Sequence, residues 1–483
     1  MADLAISIDR TDAAPLSRQI VDAIRSAVLA GSLAHGDVVP SSRALASALG
    51  VSRGVVVVAY DQLAGEGYLE MSQGAAGRVA AVDASMRRGR PQVPSTPSTP
   101  ATEVNMLPGY PSTSRLDERA WRAAWRLAAA QPVPTVQADD FGTAALRAQI
   151  ADHVRRARGV DCDAADILVT AGTSEAVMLL ALALGELHPR GARVAMEDPG
   201  YPSSRRALQR FGCEVIPLPV DVDGLRFDAL AAVDPAPSAV LLTPSHQYPL
   251  GGRLPVSTRL EILEWARQQD ALVIEDDYDS EFRHGAATLP ALATLDRSES
   301  VALIGSFSKV LTPWLRLGYI VLPRRPELHA ALRRVRADVA APIAGIAQEA
   351  MAALLADGTV RRHIAAVRRD YAHRRHLVMG ALGDVPGTRL RGLEGGLHGV
   401  VELPTAAAAE RVRTLAAEAG VAVADLREYA AVPAASVHHG IVFGYAAPTD
   451  LALARGLAVL QSAIGAESGA EIRRPRRPGI LPD

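Results

Sequence analysis

The stretch Ile304-Gly305-Ser306-Phe307-Ser308-Lys309, with Arg316 just beyond it, holds the side chains best suited to covalent chemistry. Lys309 is the one lysine in the chain, and every other member of the 51 Lys and Arg residues is arginine. A guanidinium stays protonated, whereas an amine can give up its proton and attack a carbonyl. The expectation is that Lys309 forms a Schiff base with an aldehyde. Ser306, Ser308 and Arg316 would supply phosphate donors around the amine. The bland alternative is a chance surface lysine in an arginine-biased sequence.

Such groups need a scaffold. From Asn105 onward, β-type and α-type patterns alternate, the mark of a largely parallel sheet with helices on both faces. Strands are expected at 167–170, 193–196, 215–219, 239–242, 272–275, 301–304 and 319–322. Ligands of such sheets bind outside the carboxyl ends of the strands. That gathers five segments into one crevice.

One is the lysine stretch. Another, Thr170 to Ser174, runs from a strand end into a helix, where free backbone N–H groups and the hydroxyls of Thr173 and Ser174 make a phosphate seat. The turn Glu197-Asp198-Pro199-Gly200-Tyr201 delivers an aromatic ring that could stack on a flat cofactor. Thr243 to Gly251 is rich in hydrogen-bonding groups. In Glu275-Asp276-Asp277-Tyr278-Asp279-Ser280-Glu281-Phe282, acids follow an apolar strand directly. A carboxylate there could pair with a protonated pyridine nitrogen, and a tyrosine could hydrogen-bond a phenolic oxygen. Taken singly, a helix cap, a surface turn or a solvated acidic cap explains each of these segments.

The first 82 residues read as a separate unit. Leu16, Ile20, Ile24 and Val28 recur at the period of an amphipathic helix, and Gly31 ends it. Ser41 and Ser42 suit an N-cap before Leu45 and Leu49, and Ser52 suits a second cap. Helix, glycine turn, helix is the helix-turn-helix layout. The run Val55 to Val58 opposes the third helix on propensity. Residues 68–71 and 78–82 look like a two-stranded wing. Residues 83–104 are rich in Pro, Ser and Thr and read as a semi-extended linker. Residues 466–483 read as a basic, proline-broken, disordered tail.

Composition excludes several classes. The net charge of −2, with 49% hydrophobic and 22% charged residues, exerts no global pull on nucleic acid or membrane. Cys162 and Cys213 make no metal-type spacing and read as reduced thiols; no metal is expected. Asp3, Asp9, Arg10 and Asp12 rule out a signal-peptide pattern at the start. No stretch approaches the roughly 18 apolar residues of a membrane helix, so a soluble, cytoplasmic protein is expected.

Two resemblances then become specific. Residues 15–82, through "GDVVPSSRALASALGVSRGVVVVAYDQLAGEGYLE", resemble the winged helix-turn-helix of the GntR superfamily. By that resemblance Arg43, Ser52 and Arg53 contact DNA, and Gly74 lets the wing approach the phosphates. Acids outnumber arginines in this unit, and Gly54 and Val57 stand where relatives often place polar contacts. Residues 105–465, through "EDPGYP", "TPSHQYPLGG", "IEDDYDSEFR" and "GSFSKVLTPWLRLGYIVLP", resemble fold-type I pyridoxal 5'-phosphate (PLP) proteins of aminotransferase class I/II. The combination is similar to the MocR-type regulators.

The implied fold is α/β: a winged helix-turn-helix plus an aminotransferase-like domain with a mostly parallel central sheet and a smaller α+β subdomain. The implied cofactor is PLP, on Lys309. Asp276 would partner the ring nitrogen, with Asp277 as the alternative; Tyr278 would face the phenolic oxygen and Tyr201 would stack. Thr173, Ser174, Ser306, Ser308 and Arg316 would hold the phosphate. The resemblance implies a head-to-tail homodimer on paired DNA half-sites and a small-molecule effector.

Two segments depart from the family pattern. Residues 140–147 look like a shortened form of a loop near the site mouth. Ser436 to Ala446, where amino-acid-binding relatives place an arginine for the ligand carboxylate, contains His438 and His439 and no arginine. A bidentate clamp needs the guanidinium fork. The effector is therefore expected to be PLP itself or an unusual amine rather than a standard α-amino acid. The competing function is a working aminotransferase that carries a DNA-binding head.

Overall fold

The computed structural model describes residues 6–71, 77–81, 103–284 and 290–472. The chain divides into two compact units, Met1–Ser98 and Thr99–Asp483.

The first unit holds α1 (Leu16–Ala30), α2 (Ser42–Leu49) and α3 (Arg53–Gly65), then β1 (Leu69–Glu70) antiparallel to β2 (Arg78–Val79). Gly31 closes α1 in the left-handed region at φ 76°, a conformation glycine adopts without a Cβ penalty. Ser41 caps α2 by accepting from the Ala44 N–H at 3.2 Å. The valine run is helical after all. Val56, Ala59, Tyr60 and Leu63 fall on one face of α3 and are buried with Ile20, Ile24 and Val79, so burial outweighs the few tenths of a kcal/mol that β-branching costs per residue, to order of magnitude. Ser52 occupies the N-cap of α3, but its side chain accepts no capping bond. The expected cap is thus positional only, and the hydroxyl is left uncommitted to the helix. Gly74 lies outside the described residues.

The second unit opens with β3 (Val104–Asn105), α4 (Glu118–Ala129) and α5 (Ala144–Arg158). Next come β4 (Ile167–Thr170), α6 (Thr173–Leu187), β5 (Arg193–Asp198), α7 (Pro202–Arg210), β6 (Glu214–Pro219) and α8 (Phe227–Ala231). They are followed by β7 (Ala239–Leu242), α9 (Val256–Gln269), β8 (Leu272–Asp277), α10 (Leu292–Leu295), β9 (Val301–Ser306), α11 (Phe307–Val310) and β10 (Gly318–Val321). Helices α12 (Pro326–Asp338), α13 (Gly345–Ala356) and α14 (Thr359–Leu382) lead to a smaller layer. It contains β11 (Arg389–Arg391), β12 (His398–Glu402), α15 (Ala406–Glu418), β13 (Val421–Ala422), β14 (Ala424–Asp425), β15 (Gly440–Gly444) and α16 (Asp450–Ile472).

The linker expected at 83–104 falls outside the described residues except for its last two. Of these, Val104 already pairs with Val421 in β3, so the body starts one residue early. At the other end α16 continues to Ile472, past the tail boundary expected at 466, because its buried Leu453, Leu457, Leu460 and Ile464 carry a helical stripe that outweighs the polar residues after it.

The large sheet has the order β4-β10-β9-β8-β7-β5-β6. Strand β10 runs antiparallel to both of its neighbours, β4 and β9, and the remaining pairs are parallel. The sheet is mixed, with one reversed strand. Alternate residues feed opposite layers, as the period of a strand demands. Leu241, Ile274, Ile304 and Ile320 pack with α6 and α12, whereas Val240 and Val273 pack with α8 and α9. A four-stranded antiparallel sheet, order β11-β12-β15-β14, forms the smaller layer. No helix among the described residues is long and apolar enough to cross a membrane.

Candidate cofactor-binding site

The reversed strand decides the site. Gly318, at the start of β10, pairs with Thr170 at the end of β4 and with Ser306 at the end of β9. Arg316, just before β10, therefore arrives at the carboxyl ends of the parallel strands. A parallel β10 would have carried it to the opposite edge. At that end one cavity is lined by all nine residues expected to bind a cofactor: Thr173, Ser174, Tyr201, Asp276, Tyr278, Ser306, Ser308, Lys309 and Arg316.

Each is set by local geometry. Thr173 and Ser174 open α6, whose N-cap, Gly172, offers no side-chain bond, so the first N–H groups face the cavity as free donors. Ser306 closes β9 and caps α11 by accepting from the Ser308 N–H at 3.2 Å. The Lys309 amine donates to the Gly109 carbonyl at 2.7 Å. Burial lowers the proton affinity of Lys309, and the nearby Asp276 charge partly restores it. Tyr201 precedes α7 and meets Tyr248 edge-on at 5.7 Å between ring centroids.

The two candidate aspartates part company. Asp276 faces the cavity. Asp277, one residue on and hence on the other face of β8, meets Arg158 at 2.6 Å and accepts from Ser280 at 2.9 Å. Asp276 has no such partner: its Oδ1, like that of Asp277, is buried without a hydrogen bond, but of the two only Asp276 lines the cavity. Burial and the charge of Asp277 push the Asp276 carboxyl up to about 7, against the pull of Lys309. A buried carboxylate oxygen without a donor is a costly feature. It is relieved by a group that brings an N–H into the cavity.

Several wall residues had no assigned role in the sequence reading. Pro108, Gly109, Leu397 and His398 come from segments remote from the five motifs, and Tyr248 lay in a motif that gave it no task. His398 opens β12 in the smaller sheet, and nothing in the sequence marks it. His438 and His439, and the shortened loop at 140–147, are not part of this wall. Asp140, Thr143 and Arg147 line a separate cavity with α4 and α13.

In the head, Arg43 and Arg53 are exposed at the starts of α2 and α3, with Ser52 between the helices. Arg53 Nε reaches Ser42 Oγ at 3.4 Å, a contact between the two helix starts.

Residues 108–437 match the family model "Aminotransferase class I and II", and residues 16–79 match "Bacterial regulatory proteins, gntR family". The pyridoxine biosynthesis transcriptional regulator PdxR of Corynebacterium glutamicum is 40% identical over 473 residues, covering 96% of this chain and 99% of the relative. The probable rhizopine catabolism regulatory protein MocR of Rhizobium meliloti is 32% identical, covering 76% and 77%. The chain belongs to the MocR-type regulators. Among solved structures, the α-aminoadipate aminotransferase LysN of Thermus thermophilus, complexed with N-(5'-phosphopyridoxyl)-L-leucine, matches with TM-score 0.66 and 26% identity, over 76% of this chain and 93% of that one. The MocR-type body has the fold-type I aminotransferase architecture, for which PLP is the cofactor. The residues present fit that group: an orphaned buried carboxylate for a ring N–H, a buried amine for an aldehyde, and free helix-start donors beside a guanidinium for a phosphate.

Proposed function

We propose that this MocR-type regulator senses PLP itself: its head binds DNA, and occupancy of the body's cavity changes that binding. The observation that carries the reading is the cation count of the cavity wall. Among the described lining residues, Arg316 is the one guanidinium and Lys309 the one amine. His398, the remaining basic side chain, is pulled down to about 4 by burial and by the neighbouring His246 charge, so it is neutral at physiological pH. With Arg316 on the phosphate, no cation is left for the carboxylate of a second, amino-acid ligand. The name of the Corynebacterium glutamicum relative, a pyridoxine biosynthesis regulator, supports the same direction.

In this reading Lys309 is the covalent anchor, and Asp276 holds the ring-nitrogen proton. Tyr278 faces the phenolic oxygen, Tyr201 stacks on the ring, and Thr173, Ser174, Ser306, Ser308 and Arg316 hold the phosphate. When bound, PLP supplies an aldehyde for the amine and an electron-withdrawing ring. Burial lowers the proton affinity of Lys309, which favours the unprotonated amine that attacks. Arg43 and Arg53 reach base edges or phosphates, and Ser52 offers its uncommitted hydroxyl to a phosphate. Trp314, 89% exposed, follows Pro313 of the cavity wall. Its exposure supports a homodimer in which a second copy covers this rim, with two heads on paired half-sites. The protein works in the cytoplasm, where DNA and PLP are both at hand.

A ligand shifts a conformational equilibrium only through different affinity for the two states. The test is a mobility-shift titration on the chain's own upstream DNA, with and without PLP. An affinity or footprint that changes with PLP alone, and no further on adding common amino acids, supports the reading; an identical shift with and without PLP refutes it.

A second reading, a working aminotransferase, is favoured by the complete set Lys309, Asp276 and Tyr278 in one cavity. The 2-aminoadipate transaminase of Thermus thermophilus is 32% identical over 290 residues, 58% of this chain and 70% of that protein. Without a cation to position a substrate carboxylate, a large share of the catalytic advantage is lost. Sustained turnover with amino donors and keto-acid acceptors would establish this reading instead.

A further inference from the structure

A second cavity, of about 290 Å³, lies behind the strand end that carries Asp276. Its walls come from α5, from the loop after β8 and from the junction of α13 with α14. The alternation of β8 makes the two cavities neighbours. Asp276 lines the cofactor cavity, whereas Arg158 and Ser280, the two partners of Asp277, line the second one.

The charges of this cavity do not cancel. Four arginines line it, Arg156, Arg158, Arg361 and Arg368, with two acids, Asp152 and Glu281. Asp152 pairs with Arg156, and Asp277 pairs with Arg158. The Glu281 carboxylate faces His153, with Oε1 3.7 Å from Nε2. Arg368 donates from Nε and Nη2 to the Glu281 backbone carbonyl at 2.9 and 2.6 Å. That carbonyl fixes the guanidinium in place without neutralising it. Arg361 has neither an ion pair nor a hydrogen bond among the described residues. Arg361 and Arg368 stand seven residues apart on α14, so they share a face of the helix. Arg158, from α5, adds a third guanidinium whose side chain is 4% exposed. Its Nε lies 2.6 Å from Asp277 Oδ2 but makes no aligned hydrogen bond, so this charge is only partly satisfied within the protein.

We propose that the second cavity binds a small phosphomonoester, with its phosphate on Arg361 and Arg368 and its apolar part on Leu355, Val360 and Ile364. The guanidinium fork matches phosphate oxygens. Two guanidinia without a carboxylate suit a dianion better than a singly charged carboxylate. Asp152 and Glu281 oppose any anion here, so the three apolar side chains of the wall must share in the binding. The volume fits a small molecule rather than a macromolecular segment.

Occupancy has a consequence for the cofactor cavity, and this part rests on the PLP reading. A phosphate held beside Arg158 sets further negative charge next to Asp277 and Asp276. It favours the protonated Asp276 carboxyl, a poorer partner for a ring N–H. The phosphomonoester therefore loosens PLP, and PLP loosens the phosphomonoester by the same factor.

Phenyl phosphate is the probe. Its binding to the full-length, cofactor-free chain is measured by calorimetry at pH 8 in an Arg316→Gln background, which weakens the cofactor's own phosphate seat. The comparison is repeated on the PLP-loaded chain with Arg316 intact, whose seat is filled. Saturable binding at one site is expected in both. The exposed pair Arg361→Gln, Arg368→Gln should weaken it about tenfold or more. Absence of saturable binding, or an affinity that this double variant leaves unchanged, overturns the site. Phenyl phosphate should also lower the affinity for PLP about fivefold or more in the chain with Arg361 and Arg368 and far less in the double variant. Equal lowering in both proteins would mean competition at the cofactor's seat and would overturn the coupling. Failure of the wild-type chain to load PLP would count against the cofactor reading alone, because the calorimetry on the cofactor-free chain stands apart from it.

Discussion

The Lys309 amine donates to the carbonyl of Gly109 at 2.7 Å, a contact between residues 200 positions apart. Gly109 adopts φ 91°, and a Cβ there would lie 2.8 Å from the lysine nitrogen. The backbone thus parks the amine at the cavity wall, and only glycine leaves room for it. Gly109→Ala is expected to cost about 1–2 kcal/mol of backbone strain and to displace the amine, weakening PLP binding on the order of tenfold. Titration of the cofactor's visible absorbance checks this. Wild-type affinity in the variant would show that the contact has no role in loading.

Asp276 makes the stability of the cofactor-free body pH-dependent. Its folded-state pKa, about 7, lies above the ordinary carboxylate value, so the native state binds a proton that the unfolded chain has released. Stability then falls as pH rises from roughly 4 to 7, by up to about 1.4 kcal/mol per unit. Asp276→Asn should reduce this slope, to which the raised Asp277 and Glu197 carboxyls also contribute, raising the melting temperature of the cofactor-free protein at pH 8 and changing it little at pH 4. The same variant should hold PLP less tightly. Parallel melting curves for the two proteins across this range would contradict the assignment.

The neighbouring Asp277 has a structural task. Its pair with Arg158 at 2.6 Å is buried on both sides, with side-chain exposures of 6% and 4%. Asp277→Asn takes away the guanidinium's contact partner, leaving the Glu275 and Glu281 charges to compensate it, and should cost up to about 3–5 kcal/mol. The double variant Asp277→Asn, Arg158→Met removes the charge that has lost its contact and should recover part of that loss. Denaturant unfolding of the three proteins measures both steps, and a double variant no better than the single would show that packing rather than charge is at stake.

In the head, Arg53 is expected to touch phosphate or a base edge from the start of α3. If its contact is with phosphate, Arg53→Ala should weaken DNA binding to all sequences alike and reduce the slope of log affinity against log salt by about one. An unchanged slope with a loss confined to one base position would place it on a base edge instead.

Much of the body was legible because strands and helices declare themselves by period. The seven expected strands of the large sheet are all present, and their boundaries shift by no more than two residues. Strands β8 and β9 run on to Asp277 and Ser306 because the Asp277–Gly305 register continues past the apolar run. The four-valine stretch misleads a propensity argument, since Val56 is buried against α1 in a way no local count registers.

The sequence by itself determined which side chains could do the chemistry. One amine among arginines, a carboxylate and a tyrosine after an apolar strand, and serines around a turn restrict the options wherever they end up. Only the tertiary structure decided between Asp276 and Asp277, because the alternation of β8 must be anchored to a core before either face has a meaning. It alone brought Arg316 to the cavity, through the reversal of β10, and it alone supplied Gly109 and His398 from distant parts of the chain. Periodicity is a local property that neighbouring residues encode; strand order and the meeting of remote loops come from packing the whole core, and no short stretch contains that information.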